Sequence, residues 1–120
     1  MIKKTIQVGE REVTFAASAM IPRIYRCMFG RDVFVDMNKA LKKIDGSAEF
    51  ELEDLTAFEN IAYLMARHAD KNVPESVEEW LDQFDTFSIY EILPEIVSLW
   101  GMNMQADAES KKKYVPPNGK

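Results

Sequence analysis

Apolar and polar positions alternate over two short stretches at the start of the chain, then recur every three or four residues through most of its remaining length. In residues 2–8 and 11–17, Thr5, Ile6, Val8, Val13, Thr14 and Phe15 are β-branched or aromatic, with polar residues among them. This pattern predicts two strands. Gly9-Glu10 separates them by the length of a tight hairpin turn, with Gly9 supplying positive φ. A lone hairpin is marginal in water, so this one must pack on the rest of the chain.

A helix is expected to start near Pro22, a residue tolerated in a first turn. Ile21, Ile24, Tyr25, Met28 and Phe29 fall on one helical face. Gly30 should interrupt that helix, and Asp32 can cap the next. Val33, Met37, Leu41 and Ile44 form its stripe, and Asp45-Gly46-Ser47 reads as a turn. A third helix is expected over 53–70, with Leu55, Phe58, Ala62, Met65 and Ala69 as its face and Glu53 and Asp54 in its first turn. Asn72-Val73-Pro74 ends it. Ser76-Val77-Glu78-Glu79 has the form of a capping box opening a short helix through Phe84, and Ser88-Ile89-Tyr90-Glu91 has the same form. Behind the second box, Ile89, Leu93, Ile96 and Trp100 make an apolar face, which Pro94 should kink or divide.

The expected fold is therefore mainly α, of the α+β kind: an N-terminal β-hairpin packed on about five short helices. Residues 1–104 form one domain, and 105–120 a flexible polar tail. The chain has 120 residues, 47% of them apolar, enough for one core. It has no apolar run long enough for a membrane span and no apolar segment behind Lys3 and Lys4 that would make a secretory signal. Cys27 is the only cysteine, which rules out an internal disulfide and suits a reducing cytosol.

Charge divides the chain. Residues 1–44 carry nine Lys/Arg against four Asp/Glu, whereas residues 45–104 carry two against fourteen. The tail carries four against two, and the total is −5. The expectation is that the basic half pairs with the acidic half inside one fold, with steering of a partner as the functional reading. A nucleic-acid binder would show a dominant basic face, and Lys111-Lys112-Lys113 without interleaved aromatics reads as a solubilising tail.

Candidate chemistry is sparse. Gly9, Gly30, Gly46, Gly101 and Gly119 make neither a dinucleotide fingerprint nor a P-loop. Cys27 and His68 could form a nucleophile–base pair only with an orienting acid. A buried cysteine and an ordinary core or surface histidine are the expectation. Glu78 and Asp82, and Glu91 and Glu95, stand four apart on helical faces. Without a calcium-loop pattern they read as solvated faces rather than as acid–base or metal pairs. No catalytic residue, cofactor or metal site is assigned.

Trp80, Phe84, Phe87, Tyr90 and Trp100 place five aromatics within 21 residues. Most should fill the core of the C-terminal helices. In the functional reading they form, with Met102 and Met104, a partner-binding surface of aromatic anchors and adaptable thioethers.

Several of these segments together resemble the tail assembly chaperones of tailed phages infecting Gram-positive bacteria. They are the hairpin with Ile21-Pro22-Arg23-Ile24-Tyr25-Arg26 and Phe29-Gly30-Arg31-Asp32, and the central Leu55-Thr56-Ala57-Phe58-Glu59-Asn60-Ile61-Ala62-Tyr63. Glu79-Trp80-Leu81-Asp82-Gln83-Phe84 and Phe87-Ser88-Ile89-Tyr90-Glu91-Ile92-Leu93-Pro94-Glu95-Ile96, continued by Trp100-Gly101, carry most of the resemblance, which spans roughly residues 5–104.

The resemblance implies a non-enzymatic protein of the host bacterial cytoplasm, encoded by a phage or prophage. It would bind the tape measure protein, keep it soluble while the tail tube polymerises, and be absent from the virion. Several copies would sit along one tape measure chain, and self-association would fit this use. It further implies a longer product made by ribosomal frameshifting, which recruits tail tube protein. Lys111-Lys112-Lys113 lies where such a slip would fall. The competing readings are a small structural tail or connector protein, an adaptor or antitoxin-like partner, and an enzyme using Cys27 and His68.

Overall fold

Strand β1 (Ile2–Val8) and strand β2 (Arg11–Ala17) pair antiparallel, with Ile2 opposite Ala17 and Val8 opposite Arg11. Gly9 turns the chain at φ 62°, a conformation that a Cβ disfavours. Alternation turns Ile6, Val8 and Phe15 inward, where they are buried. On the opposite face the Thr5 and Thr14 hydroxyls meet at 2.9 Å. The computed structural model describes residues 1–43 and 51–101.

Helix α1 (Met20–Phe29) carries Pro22 in its first turn and stops at Gly30. Gly30 takes the left-handed conformation at φ 67°, and its N–H donates to the Arg26 carbonyl at 2.9 Å. Two residues later, the Asp32 side chain accepts the Phe34 N–H at 2.8 Å and opens helix α2 (Val33–Lys42). The expected boundary is therefore met by the two residues expected to make it. Ile21 and Tyr25 of α1 and Val33 and Met37 of α2 face the core. Met28 was expected on the α1 stripe, but it is exposed, since the covered arc of this helix reaches only as far as Ile21 and Tyr25 with Ile24 and Phe29 at its edges. Ile44 and the Asp45-Gly46-Ser47 turn lie outside the described residues.

Helix α3 (Leu52–Ala69) is the axis of the molecule. It packs against β2, α1, α2 and α4. Six consecutive residues, Ile61–Ala66, are buried, so this helix is enclosed rather than amphipathic along its middle. The stripe Phe58, Ala62, Met65 is thus only part of what it buries.

Helix α4 (Val77–Leu81) opens with the Ser76 hydroxyl accepting the Glu79 N–H at 3.1 Å. It closes three residues before the expected Phe84. There the amides of Gln83 and Phe84 bond the carbonyls of Trp80 and Leu81, three residues back, which tightens the chain into turns. Helix α5 (Ser88–Glu91) follows. Ser88 was expected to cap it. It is instead its first residue, buried, with Phe87 in the capping position and no side-chain cap. Pro94 divides the segment as expected: α5 ends, and helix α6 runs from 93 to 101, the last described residue. Pro94 falls in its first turn, where an amide has no helical partner to lose. Ile89, Leu93, Ile96 and Trp100 are all buried, as their spacing predicted. Among the described residues, one cluster of buried side chains, drawn from both strands and from all six helices, forms the core.

Candidate functional site

The segment from α4 to α5 is built on Trp80. Its indole is 1% exposed and meets Phe15 of β2, Tyr63 of α3 and Phe84, with ring centroids at 6.4, 5.9 and 5.1 Å and steeply inclined planes. A side chain so placed ties α4 to the hairpin and the central helix at once. Phe84 stands half-buried above it. The Arg11 guanidinium lies 5.6 Å over the Phe84 ring and donates to Gln83 Oε1 at 3.1 Å. Phe84 is therefore fixed between the hairpin turn and the core.

Phe84 separates two concavities. One, of about 520 Å³, lies between β2, the end of α3 and α4, and has mixed polarity, with Arg11, Glu12 and Asp70 on its walls. The other, of about 380 Å³, lies between α3, α4 and α5. Its apolar wall is Leu81, Phe84, Ile89 and Tyr90, and its charged groups are Glu59, Glu78, Asp82 and Asp85. Tyr90 Oη donates to Glu59 Oε2 at 2.6 Å, which holds the tyrosine in place and raises its pKa, because ionisation would set two anions together.

Among the described residues, none of these four carboxylates forms an ion pair. The expected pairing of basic and acidic halves occurs elsewhere: Lys43 with Asp54 and, at 3.9 Å, with Glu51, and Lys4 with Glu95 at 3.9 Å. Glu75, Glu79 and Glu91 also have no ion-pair partner among the described residues. The acidic stretch is thus balanced at its edges and left open at the α4–α5 segment.

The seven residues expected to bind a partner separate into three groups. Trp80 and Trp100 are core residues, each 1% exposed, and offer no surface; Trp100 packs on Phe34 of α2 with centroids 5.5 Å apart. Phe84 and Tyr90 line the acidic groove, and Phe87, 72% exposed, follows groove residue Thr86 in the chain. Met102 and Met104 lie outside the described residues, as do Lys111-Lys112-Lys113 and the expected tail. The sequence patterns placed Trp80, Phe84, Tyr90 and Trp100 on helices and Phe87 just before one, but they carry no information on which side of a short helix another element covers.

A charged cluster that sequence reasoning missed joins α1 to α2. Asp36 is 5% exposed and accepts from Tyr25 Oη at 2.7 Å, Arg31 Nε at 2.9 Å and Arg31 Nη2 at 2.8 Å. The paired guanidinium bonds hold the carboxylate below its usual range against the opposing effect of burial. Burial and the same carboxylate push the Tyr25 hydroxyl upward. The three residues stand on both sides of the Gly30 break, so no helical spacing rule reports their proximity. Asp54 is a second buried carboxylate. Burial raises its pKa, but bonds from the Lys43 ammonium and the Glu51 amide outweigh that and leave it lowered.

The residues considered for catalysis are not brought together. Cys27 is exposed, not buried as expected, because it lies on the outer side of α1. His68 Nε2 instead meets the Ser18 hydroxyl at 2.9 Å, and that hydroxyl also accepts the Met20 amide at 3.2 Å. Among the described residues no carboxylate orients the other imidazole nitrogen, no three potential ligands converge on a metal position, and no helix is long and apolar enough to cross a membrane. Comparison of the chain with protein-family models, with curated proteins and with solved structures finds no match.

Proposed function

We propose that this protein is a phage tail assembly chaperone that binds the tape measure protein in the host cytoplasm. In this reading it is neither an enzyme nor part of the virion. The observation that carries the proposal is the groove walled by Phe84, Ile89 and Tyr90, with exposed Phe87 next in the chain after groove residue Thr86. Its apolar wall is built from the two segments, 79–84 and 87–96, that carry most of the resemblance. A long partner with repeated apolar stripes needs a cover with apolar contact sites and a charged exterior. Exposed Met20, Met28, Phe34, Val35 and Leu52 add further apolar contact positions, and the excess of carboxylates over residues 45–104 supports colloidal solubility. Self-association along the client and a longer frameshifted form that engages tail tube protein belong to the same proposal.

Co-expression with the very long gene expected downstream tests it. The expected result is a soluble complex, with the tape measure insoluble when expressed alone. An insoluble tape measure with no complex recovered would overturn the proposal. Mass spectrometry of purified particles addresses the competing structural reading, since stoichiometric presence there would make the chain a virion component.

A further inference from the structure

We infer that the groove between α3, α4 and α5 docks a cationic amphipathic segment of a partner protein, with Lys or Arg side chains meeting its carboxylates and an apolar side chain seated on Phe84, Ile89 and Tyr90. The inference rests on the chaperone reading only for the identity of the partner, because the groove itself specifies the chemistry. Its four charged groups, Glu59, Glu78, Asp82 and Asp85, are all anionic, and its lining contains no cation.

Charge complementarity decides the occupant. The fold supplies cations to its buried carboxylates, Arg31 to Asp36 and Lys43 to Asp54, whereas the groove's Glu78, Asp82 and Asp85 are exposed. Arg11 stands over the Phe84 ring but bonds Gln83, and among the described residues no ion pair reaches a groove carboxylate. A cleft of one sign with low-dielectric walls concentrates its field and raises the local concentration of the opposite charge. The same sign repels nucleic acid and anionic lipid, which leaves a basic polypeptide. The carboxylates do not converge on a point, as no three potential ligands among the described residues could hold a metal ion. They suit cations spread along a chain.

The apolar wall selects amphipathicity within that class. Lys and Arg can lay their methylene stems on Leu81 and Phe84 while their heads reach the rim, and Tyr90 presents a ring already oriented by Glu59. The groove is also preorganised. Trp80 anchors α4 from below, the Ser76 cap fixes its start, and the Tyr90–Glu59 bond ties α5 to α3. Binding there costs little ordering of the host side.

The test uses the full chain and two synthetic helical peptides of about 18 residues, about 27 Å long. One has leucine on one face and lysine on the other; its twin has glutamate in place of lysine. The lysine peptide should bind at a single site and perturb backbone amides at 59 and 78–90. The twin should bind at least about tenfold more weakly. The triple variant E78Q/D82N/D85N should weaken lysine-peptide binding by about tenfold, whereas E75Q/E79Q/E91Q, which removes equal charge outside the groove lining, should change it by less than about twofold.

Equal loss in both triple variants, or perturbation elsewhere on the molecule, would show diffuse attraction and overturn the inference. Failure of the lysine peptide to bind would do the same. Binding that tightens more than about threefold in K111Q/K112Q/K113Q would give the groove to the chain's own lysine segment and overturn the partner assignment. Two outcomes separate the inference from the chaperone reading. A tape measure kept fully soluble by E78Q/D82N/D85N overturns the groove and leaves the chaperone standing. A lysine peptide seated in the groove of a protein that forms no tape measure complex does the reverse.

Discussion

Tyr25 donates its phenolic hydrogen to Asp36 at 2.7 Å, across the Gly30 break that separates α1 from α2. The bond fixes the angle between two helices that share no continuous backbone hydrogen bonding, and Arg31 completes the carboxylate's shell from the connecting loop. Asp36→Ala would strand a buried hydroxyl and a guanidinium. We expect a loss of about 2–3 kcal/mol, read as a lowered denaturant midpoint at unchanged slope. Tyr25→Phe should cost about 1 kcal/mol, and the double variant less than the sum. Full additivity would mean that the two residues act independently.

Acid stability depends on the same group. The pKa values of Asp36 and Asp54 are lowered by folding. Their contribution is complete above the unfolded value of about 3.9 and is lost as pH falls through the lower folded values. Stability should therefore decline below about pH 4, and Asp36→Asn should flatten that decline while lowering the plateau at neutral pH. On the alkaline side, Tyr25, Tyr63 and Tyr90 are raised, Tyr25 and Tyr63 mainly by burial and Tyr90 mainly by its bond to Glu59. Their contribution is complete below the unfolded value of about 10 and is lost as pH rises through the folded values. Denaturant midpoints measured across pH check both limbs.

Gly9 and Gly30 both have positive φ, but they differ in surroundings. A Cβ at position 30 would meet open space, so Gly30→Ala should cost about 1 kcal/mol from backbone strain alone. A Cβ at position 9 would stand 2.9 Å from Ser88 Oγ. Gly9→Ala should cost more than Gly30→Ala, and Ser88→Ala should recover the excess but not the strain. Thermal midpoints of Gly30→Ala, Gly9→Ala, Ser88→Ala and the double variant Gly9→Ala with Ser88→Ala decide it.

Trp80 and Phe87 should respond in opposite ways. Trp80→Ala opens the contact among β2, α3 and α4 and should cost about 3–5 kcal/mol. Phe87→Ser alters an exposed ring and should change stability by less than about 0.5 kcal/mol while reducing recovery of the co-expressed tape measure. Unchanged recovery would remove Phe87 from the binding surface.

His68→Ala should remove the Ser18 bond and cost about 1 kcal/mol, and Cys27→Ser should be neutral. Neither should alter complex formation with the client. A loss of function at unchanged stability in either variant would favour the enzymatic reading.

Local rules were sufficient where a structural outcome depends on neighbours in the chain. The strand limits, the Gly9 turn, the Gly30 stop, the Asp32 and Ser76 caps and the division at Pro94 each rest on backbone constraints within a few residues. Ile89, Leu93, Ile96 and Trp100 could be read as one face because a single helical period links them. The Ser88 cap was misplaced because Asp85 already turns the chain and bonds the Ser88 amide, a competition among adjacent turns that a four-residue pattern cannot rank.

The order of elements and the apolar face of Ile89, Leu93, Ile96 and Trp100 were thus set by the sequence alone, since propensity, capping and periodicity are local, whereas the α1 and α3 faces were only partly legible. Tertiary structure decided which aromatics are exposed, which carboxylates find a cation, and which groups meet across a break. Trp80 is sealed because β2 and α3 close over it, whereas Phe87, seven residues on, is not. Asp36 finds Arg31 and Tyr25 only because α2 packs on α1, and Glu78, Asp82 and Asp85 line a groove only because α3, α4 and α5 come together. Burial and electrostatic pairing sum over neighbours distant in the chain, and they exist only once the elements have packed.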